Sequence, residues 1–123
     1  MNKKHDFPKK QVILSETFRT VAHPARLEII RVLASANSPV NGELTDVGSL
    51  APSTVNLHLL DMKKAGIVGG QIMGKKSAYH LNWDYLEEME KAIELFFKEL
   101  NAMRKESGAK TKSLGRGSKS KIA

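Results

Sequence analysis

The chain of 123 residues contains no cysteine. Disulfides, thiolate metal sites, thiol redox sensing and cysteine nucleophiles are excluded together. No apolar run approaches the roughly 20 residues of a membrane-spanning helix. The opening residues MNKKHDFPKK hold no apolar stretch to serve as a signal peptide. The expectation is a soluble, cytoplasmic protein with no membrane partner. No nucleophile, base and orienting group fall into a recognisable set, and no glycine-rich phosphate loop is present, so catalysis is not expected.

What is present is an ordinary globular composition, 41% apolar and 27% charged, long enough for one domain. The net charge of +7 is unevenly placed: residues 1–10 carry +3, residues 105–123 carry +5, and residues 11–104 net −1. Basic ends without an accompanying amphipathic apolar face favour nucleic acid over membrane as the polyanion they meet; the alternative is a tail that only solubilises. The chain divides on this basis into a basic arm (1–10), a folded domain (11–104) and a tail (105–123). The tail is rich in Gly, Ser and Lys, lacks apolar periodicity and is expected to be disordered.

Within the domain, Leu14, Phe18 and Val21 predict a first helix from about Pro8 or Gln11 to Val21. His23-Pro24 separates it from a second, about Pro24–Ser35, with Leu27, Ile30 and Leu33 inward. After an Asn37-Ser38-Pro39 loop comes a short helix, about Asn41–Val47, with Leu44 buried and Gly48-Ser49 as its stop. A fourth helix, Pro52–Ala65, turns Val55, Leu59 and Met62 inward and closes at Gly66. Strands at about Ile67–Ile72 and Ser77–Leu81 flank a Met73-Gly74-Lys75-Lys76 turn. Asn82 then caps a helix reaching about Arg104. In that last helix Leu86, Met89, Ile93, Phe96, Leu100 and Met103 recur at spacings of 3, 4, 3, 4 and 3, with Phe97 and Tyr85 widening the stripe. A stripe about 30 Å long exceeds what a small monomer can cover, so a homodimer is expected.

This order of elements is that of a mainly α, winged helix-turn-helix fold: five helices plus a two-stranded β-wing, assembled as a dimer. The fourth helix becomes the recognition helix, with Ser53, Thr54, Asn56, Leu57, His58 and Asp61 outward. Pro52, Ser53, Thr54, Asn56 and His58 are its candidate DNA-binding residues, with Lys63 and Lys64 at its far end and Lys75 and Lys76 on the wing.

At these residues the chain resembles the ArsR/SmtB family of winged-helix repressors. The stretch Phe18–Ile30, with its Pro24-Ala25-Arg26-Leu27, matches the family's second-helix opening. Gly42-Glu43-Leu44, Ser53-Thr54-Val55, His58-Leu59 and Ala65-Gly66-Ile67-Val68 match the DNA-binding pair. Gly74, Tyr79 and Leu81 match the wing. The resemblance covers about residues 11–104. It implies a homodimer that binds a palindromic operator in double-stranded DNA and is released by an effector, which places the protein at the nucleoid. Leu14, Phe18, Leu86, Met89, Ile93, Phe96, Phe97 and Leu100 are the expected dimer-interface residues on the first and last helices.

Three departures matter. The family's inducer cysteines are replaced by Thr45-Asp46-Val47, so the signal is of a non-thiolate, unknown kind. Gly48 stands where the family has a buried Leu or Ile, which removes an anchor from the short helix. Leu57 and Leu60 replace polar residues on the DNA side, Asp61 adds a negative charge, and no Arg is there to read guanine bidentately. Leu57 is placed to touch thymine methyls, to pack within the protein or to meet a partner. The last helix carries Asp84, Glu87, Glu88, Glu90, Glu94 and Glu99 but no His, and His80 lies just before it; no metal and no cofactor are expected. His23 reads as a helix cap. Two alternatives remain beside the DNA-binding repressor: a protein-interaction module using the Leu57/Leu60 face, and a sensor that takes a small hydrophobic ligand at its dimer interface.

Overall fold

A computed structural model describes residues 6–36, 39–44 and 47–108. The elements are α1 (Lys9–Val21), α2 (Pro24–Ser35), β1 (Val40–Asn41), α3 (Pro52–Ala65), β2 (Val68–Gln71), β3 (Ala78–Leu81) and α4 (Trp83–Glu106). Two compact units are distinguished, residues 1–89 and 90–123. The first holds the sheet, α1 to α3 and the opening of α4; the described part of the second is chiefly the remainder of α4, to Glu106. Because α1 opens at Lys9, the last two lysines of the basic arm belong to a helix. Most of the expected tail, 109–123, lies outside the described residues.

The starts and stops of α2 and α3 follow from single residues. His23 is extended, its Nδ1 accepts from the Ala25 amide at 3.0 Å, and Pro24 takes the first helical position. The expected capping role of His23 is thus present. α3 ends at Gly66, whose φ of 98° lies in the left-handed region; its amide donates to the Met62 and Lys63 carbonyls, and the Ile67 amide donates to Met62. Asn82 joins the exit of α3 to the start of α4. Its Oδ1 accepts from the Tyr85 amide at 3.3 Å, and its Nδ2 donates to the Gly66 carbonyl at 3.0 Å.

The core gathers Ile29 and Leu33 of α2, Val55, Leu59 and Met62 of α3, and Ile67, Val68, Tyr79 and Leu81 around the sheet. The inward face of α2 differs from expectation. Ala25, Ile29 and Leu33 are buried at spacings of four, whereas Leu27 is 54% exposed and Ile30 only partly covered. With Ile29 and Ile30 adjacent, both faces carry apolar residues and periodicity alone does not choose between them. On α1, Leu14 and Thr17 are buried while Phe18 is exposed. Thr17 tolerates burial because its hydroxyl donates to the Ile13 carbonyl at 3.1 Å.

The largest correction concerns residues 40–50. The expected short helix, Asn41–Val47, does not begin at Asn41, which is a strand residue. β1 pairs antiparallel with β3, Val40 opposite Tyr79 and Asn41 opposite Ala78, giving a sheet of order β1-β3-β2. The Gly42 amide donates to the Ser77 carbonyl at 2.8 Å and prolongs this pairing, which uses the backbone groups that a helix would need. Thr45 and Asp46 lie outside the described residues, as do Asn37 and Ser38 of the preceding loop. The fold therefore has four α-helices among the described residues in place of five, and a three-stranded antiparallel sheet in place of a two-stranded wing. Leu44 is buried as expected, and Val47 is buried too, so Gly48 does not leave the segment unanchored. In β2, Gly70 has a φ of 102°, and a Cβ there would lie 2.2 Å from the Ala78 carbonyl oxygen.

Candidate nucleic-acid interface

Burial of Val55, Leu59 and Met62 fixes which way α3 faces. The opposite side, at helical spacing, consists of Ser53, Leu57, Leu60 and Lys64, all exposed. Pro52 is exposed at the start of the helix, and Ala51 offers no side-chain cap, so the positive end of the helix dipole is open. Thr54 and Asn56, expected outward, are half-buried on the two flanks. Lys63 and Lys64 are exposed in the last turn, where they complement the dipole's negative end. Lys75 and Lys76 are exposed in the single 3₁₀ turn Gly74–Lys76 between β2 and β3. That turn is held by Ser77, whose buried hydroxyl accepts from the Met73 amide at 2.7 Å.

The centre of the exposed face is apolar: Leu57 is 64% exposed and Leu60 is 41% exposed. Neither packs into the core of its own chain, which removes one of the three roles open to Leu57.

His58 and Asp61 lie on the flank of α3 that meets α2, and one residue holds both. Arg26, from the first turn of α2, donates through Nε to Nδ1 of His58 at 3.1 Å and through Nη2 to Oδ2 of Asp61 at 2.9 Å. Its Nη1 donates to the Thr20 carbonyl near the end of α1 at 2.9 Å. The His58 ring also lies against His23, with ring centroids 4.5 Å apart. Burial holds the His58 pKa below the ordinary histidine value, and His23 and Arg26 add to the effect while Asp61 opposes it. Beside this group is a cavity of about 670 Å³ lined in part by Glu16, Arg19, His23, Arg26, Asp61 and Lys64. The Arg26 bonds were not legible in the sequence. Its Pro24-Ala25-Arg26-Leu27 motif was visible, and His58 and Asp61 stand three apart on one helix face, but nothing local pairs them with a residue on another helix.

The expected interface residues on α1 and α4 are differently placed. Leu14 is buried within its own chain, and Leu86 packs partly against the core. Phe18, Phe97 and Leu100 are exposed; Met89, Ile93 and Phe96 are half-buried. No residue of α4 is fully buried over its 24 positions. Among the described residues no three His, Asp or Glu side chains converge, and no helix is long and apolar enough to cross a membrane.

Comparison with known proteins bears on this geometry. The profile of a family described as "Bacterial regulatory protein, arsR family" matches residues 23–69, which run from the cap of α2 into β2. An uncharacterized HTH-type transcriptional regulator of Methanocaldococcus jannaschii, MJ1325, is 30% identical over 80 residues, covering 65% of this chain and 90% of that protein. The crystal structure of Rv0081 from M. tuberculosis superimposes with a TM-score of 0.53 at 29% identity, covering 79% of this chain and 98% of the other.

Proposed function

Because the chain belongs to the ArsR family of winged helix-turn-helix transcriptional regulators, we propose that it is a repressor that binds a palindromic operator as a homodimer and answers a non-thiolate signal. Regulators of this family bind DNA, which supports DNA as the partner. The observation that carries the reading is the uncapped, exposed start of α3 at Pro52-Ser53, with paired lysines at the far end of that helix and on the β2–β3 turn. An uncapped helix start receives a phosphate through its amides, and exposed Lys63, Lys64, Lys75 and Lys76 neutralise neighbouring phosphates. Ser53, Thr54 and Asn56 are the polar side chains of α3 available to base edges and sugars, while His58 has its Nδ1 engaged by Arg26. The apolar stripe of α4 supplies the homodimer contact.

The exposed Leu57 and Leu60 favour a second reading, a winged-helix module that binds a protein partner through this face. One experiment separates the two. A labelled duplex from the region upstream of the protein's own coding sequence is titrated at several salt concentrations with wild type, Thr54→Ala and Leu57→Ala/Leu60→Ala. Salt-dependent binding that is weakened by Thr54→Ala supports the repressor; absence of binding to any duplex supports the interaction module.

A further inference from the structure

We propose that Arg26 and His58 form a clamp that positions α3 for DNA, closed while Nδ1 of His58 is unprotonated and opened by acid, so that DNA binding weakens as the pH falls. The proposal rests on the DNA-binding reading above. Arg26 is the hub: its side chain is only 17% exposed, and three of its nitrogens each reach a different group. Thr20 fixes the guanidinium to the end of α1; His58 and Asp61 then fix α3 to it across two successive turns. His58 makes no contribution to this clamp as a donor. It is an acceptor at Nδ1, and an imidazolium has no acceptor. Protonation there would replace an N–H···N bond with two opposed donors, and would put a second cation against a guanidinium in a partly desolvated place.

The Nδ1 of His23 accepts from the Ala25 amide, which holds its ring against that of His58, with centroids 4.5 Å apart. The charged and titratable groups around His58 are His23 and Arg26 from the start of α2, Asp61 on its own helix, and Glu16, Arg19, Lys64 and Tyr85 lining the adjoining cavity. Arg19 is paired with Glu16, and of the groups that act directly on His58 only Asp61 favours its charged form. The low-lying pKa of His58 agrees with a ring held as an acceptor.

Direction is what makes the proposal testable. Acid ordinarily strengthens binding to DNA, because solvent-exposed histidines gain positive charge. A clamp that opens in acid has the opposite sign. His58→Gln retains an oxygen able to accept from Arg26 and takes up no proton. Two measurements on the full chain suffice. In the free protein, the nitrogen resonances of the imidazoles should show His58 as the Nε2–H tautomer at neutral pH, with a midpoint below the ordinary value of about 6.5. At fixed ionic strength, binding of a labelled upstream duplex should weaken at least tenfold, roughly, from pH 7.5 to 5.5 for wild type, and by less than about threefold for His58→Gln. The wild-type ring titration needs no variant to fold. A His58 midpoint at or above the ordinary value overturns the clamp whether or not DNA binds. Wild-type affinity that rises in acid, or a His58→Gln protein that loses as much as wild type, overturns it as well. A low midpoint with no binding to any duplex at pH 7.5 shows instead that the DNA-binding reading failed, and gating falls with it.

Discussion

Oδ2 of Asp61 lies 2.9 Å from Nη2 of Arg26, so the one acidic side chain of α3 faces a cation from α2. In sequence, Asp61 adds a negative charge to a helix face expected to meet phosphate. In the folded chain its charge is matched by that of Arg26. The carboxylate side is 57% exposed, so the pair itself contributes below about 1 kcal/mol to stability.

Asp61→Asn should therefore leave thermal stability nearly unchanged, since the amide oxygen still accepts from Arg26. If this flank of α3 lies near bound DNA, the substitution should raise affinity by a few-fold at low salt, because a negative charge that repels phosphate is removed, and the gain should fade as salt screens it. Anisotropy titrations at two salt concentrations check this. An affinity unchanged at low salt would place Asp61 away from the bound backbone.

What could be read in advance divides by range. The ends of α2 and α3 were legible because single residues set them: Pro24, Pro52 and Gly66 act within one turn. β1 was not, because its partner strand lies far along the chain and Val40-Asn41 alone carries no turn or alternation signal. The clamp was invisible for the same reason, its bonds joining residues 32 and 35 positions apart. The residue types of the candidate interface were legible, but Thr54, Asn56 and His58 proved half-buried, since the orientation of α3 is set by its neighbours as well as by its own stripe.

Tyr79 offers a stability test at the heart of the sheet. Its side chain is fully buried, and its hydroxyl has no hydrogen-bond partner among the described residues; burial pushes its pKa up. Tyr79→Phe removes an unsatisfied polar atom and should be neutral or stabilising by up to about 1 kcal/mol. Gly70→Ala should act in the other direction, because both its φ and the Ala78 carbonyl oppose a Cβ. Urea denaturation of the two variants measures the contrast, and a Tyr79→Phe protein losing more than about 1 kcal/mol would mean that the hydroxyl has a partner.

Assembly is tested on α4. Ile93 and Phe96 are half-buried and Phe97 and Leu100 are exposed, on a helix without a fully buried residue. If this stripe joins two chains, Ile93→Asp places an unpaired carboxylate in the contact, at a cost of several kcal/mol. Sedimentation should then show a dimer for wild type and a monomer for the variant. The monomer should also bind operator DNA far more weakly, because two half-sites a helical turn apart are no longer held together. A monomeric wild type, or a dimeric Ile93→Asp, refutes the assignment.

Deleting the basic tail tests affinity apart from specificity. Residues 109–123 carry five basic side chains and no acidic one, whereas residues 11–104 net −1. If the folded part meets phosphate through Lys63, Lys64, Lys75 and Lys76, a dimer would add ten tail cations to them. Each phosphate neutralised releases counterions, and log affinity falls with log salt at a slope of roughly −0.9 per contact. Deleting 109–123 leaves α4 whole, since that helix ends at Glu106. The truncated protein should bind all duplexes more weakly, with a salt slope flatter by a few units if several tail cations reach DNA together. Preference for the operator over random DNA should survive, because Ser53, Thr54 and Asn56 are untouched. Salt series on operator and random duplexes decide the matter. A truncated protein that keeps the full salt slope makes the tail a bystander, and one that keeps its slope but loses operator preference would give the tail a reading role.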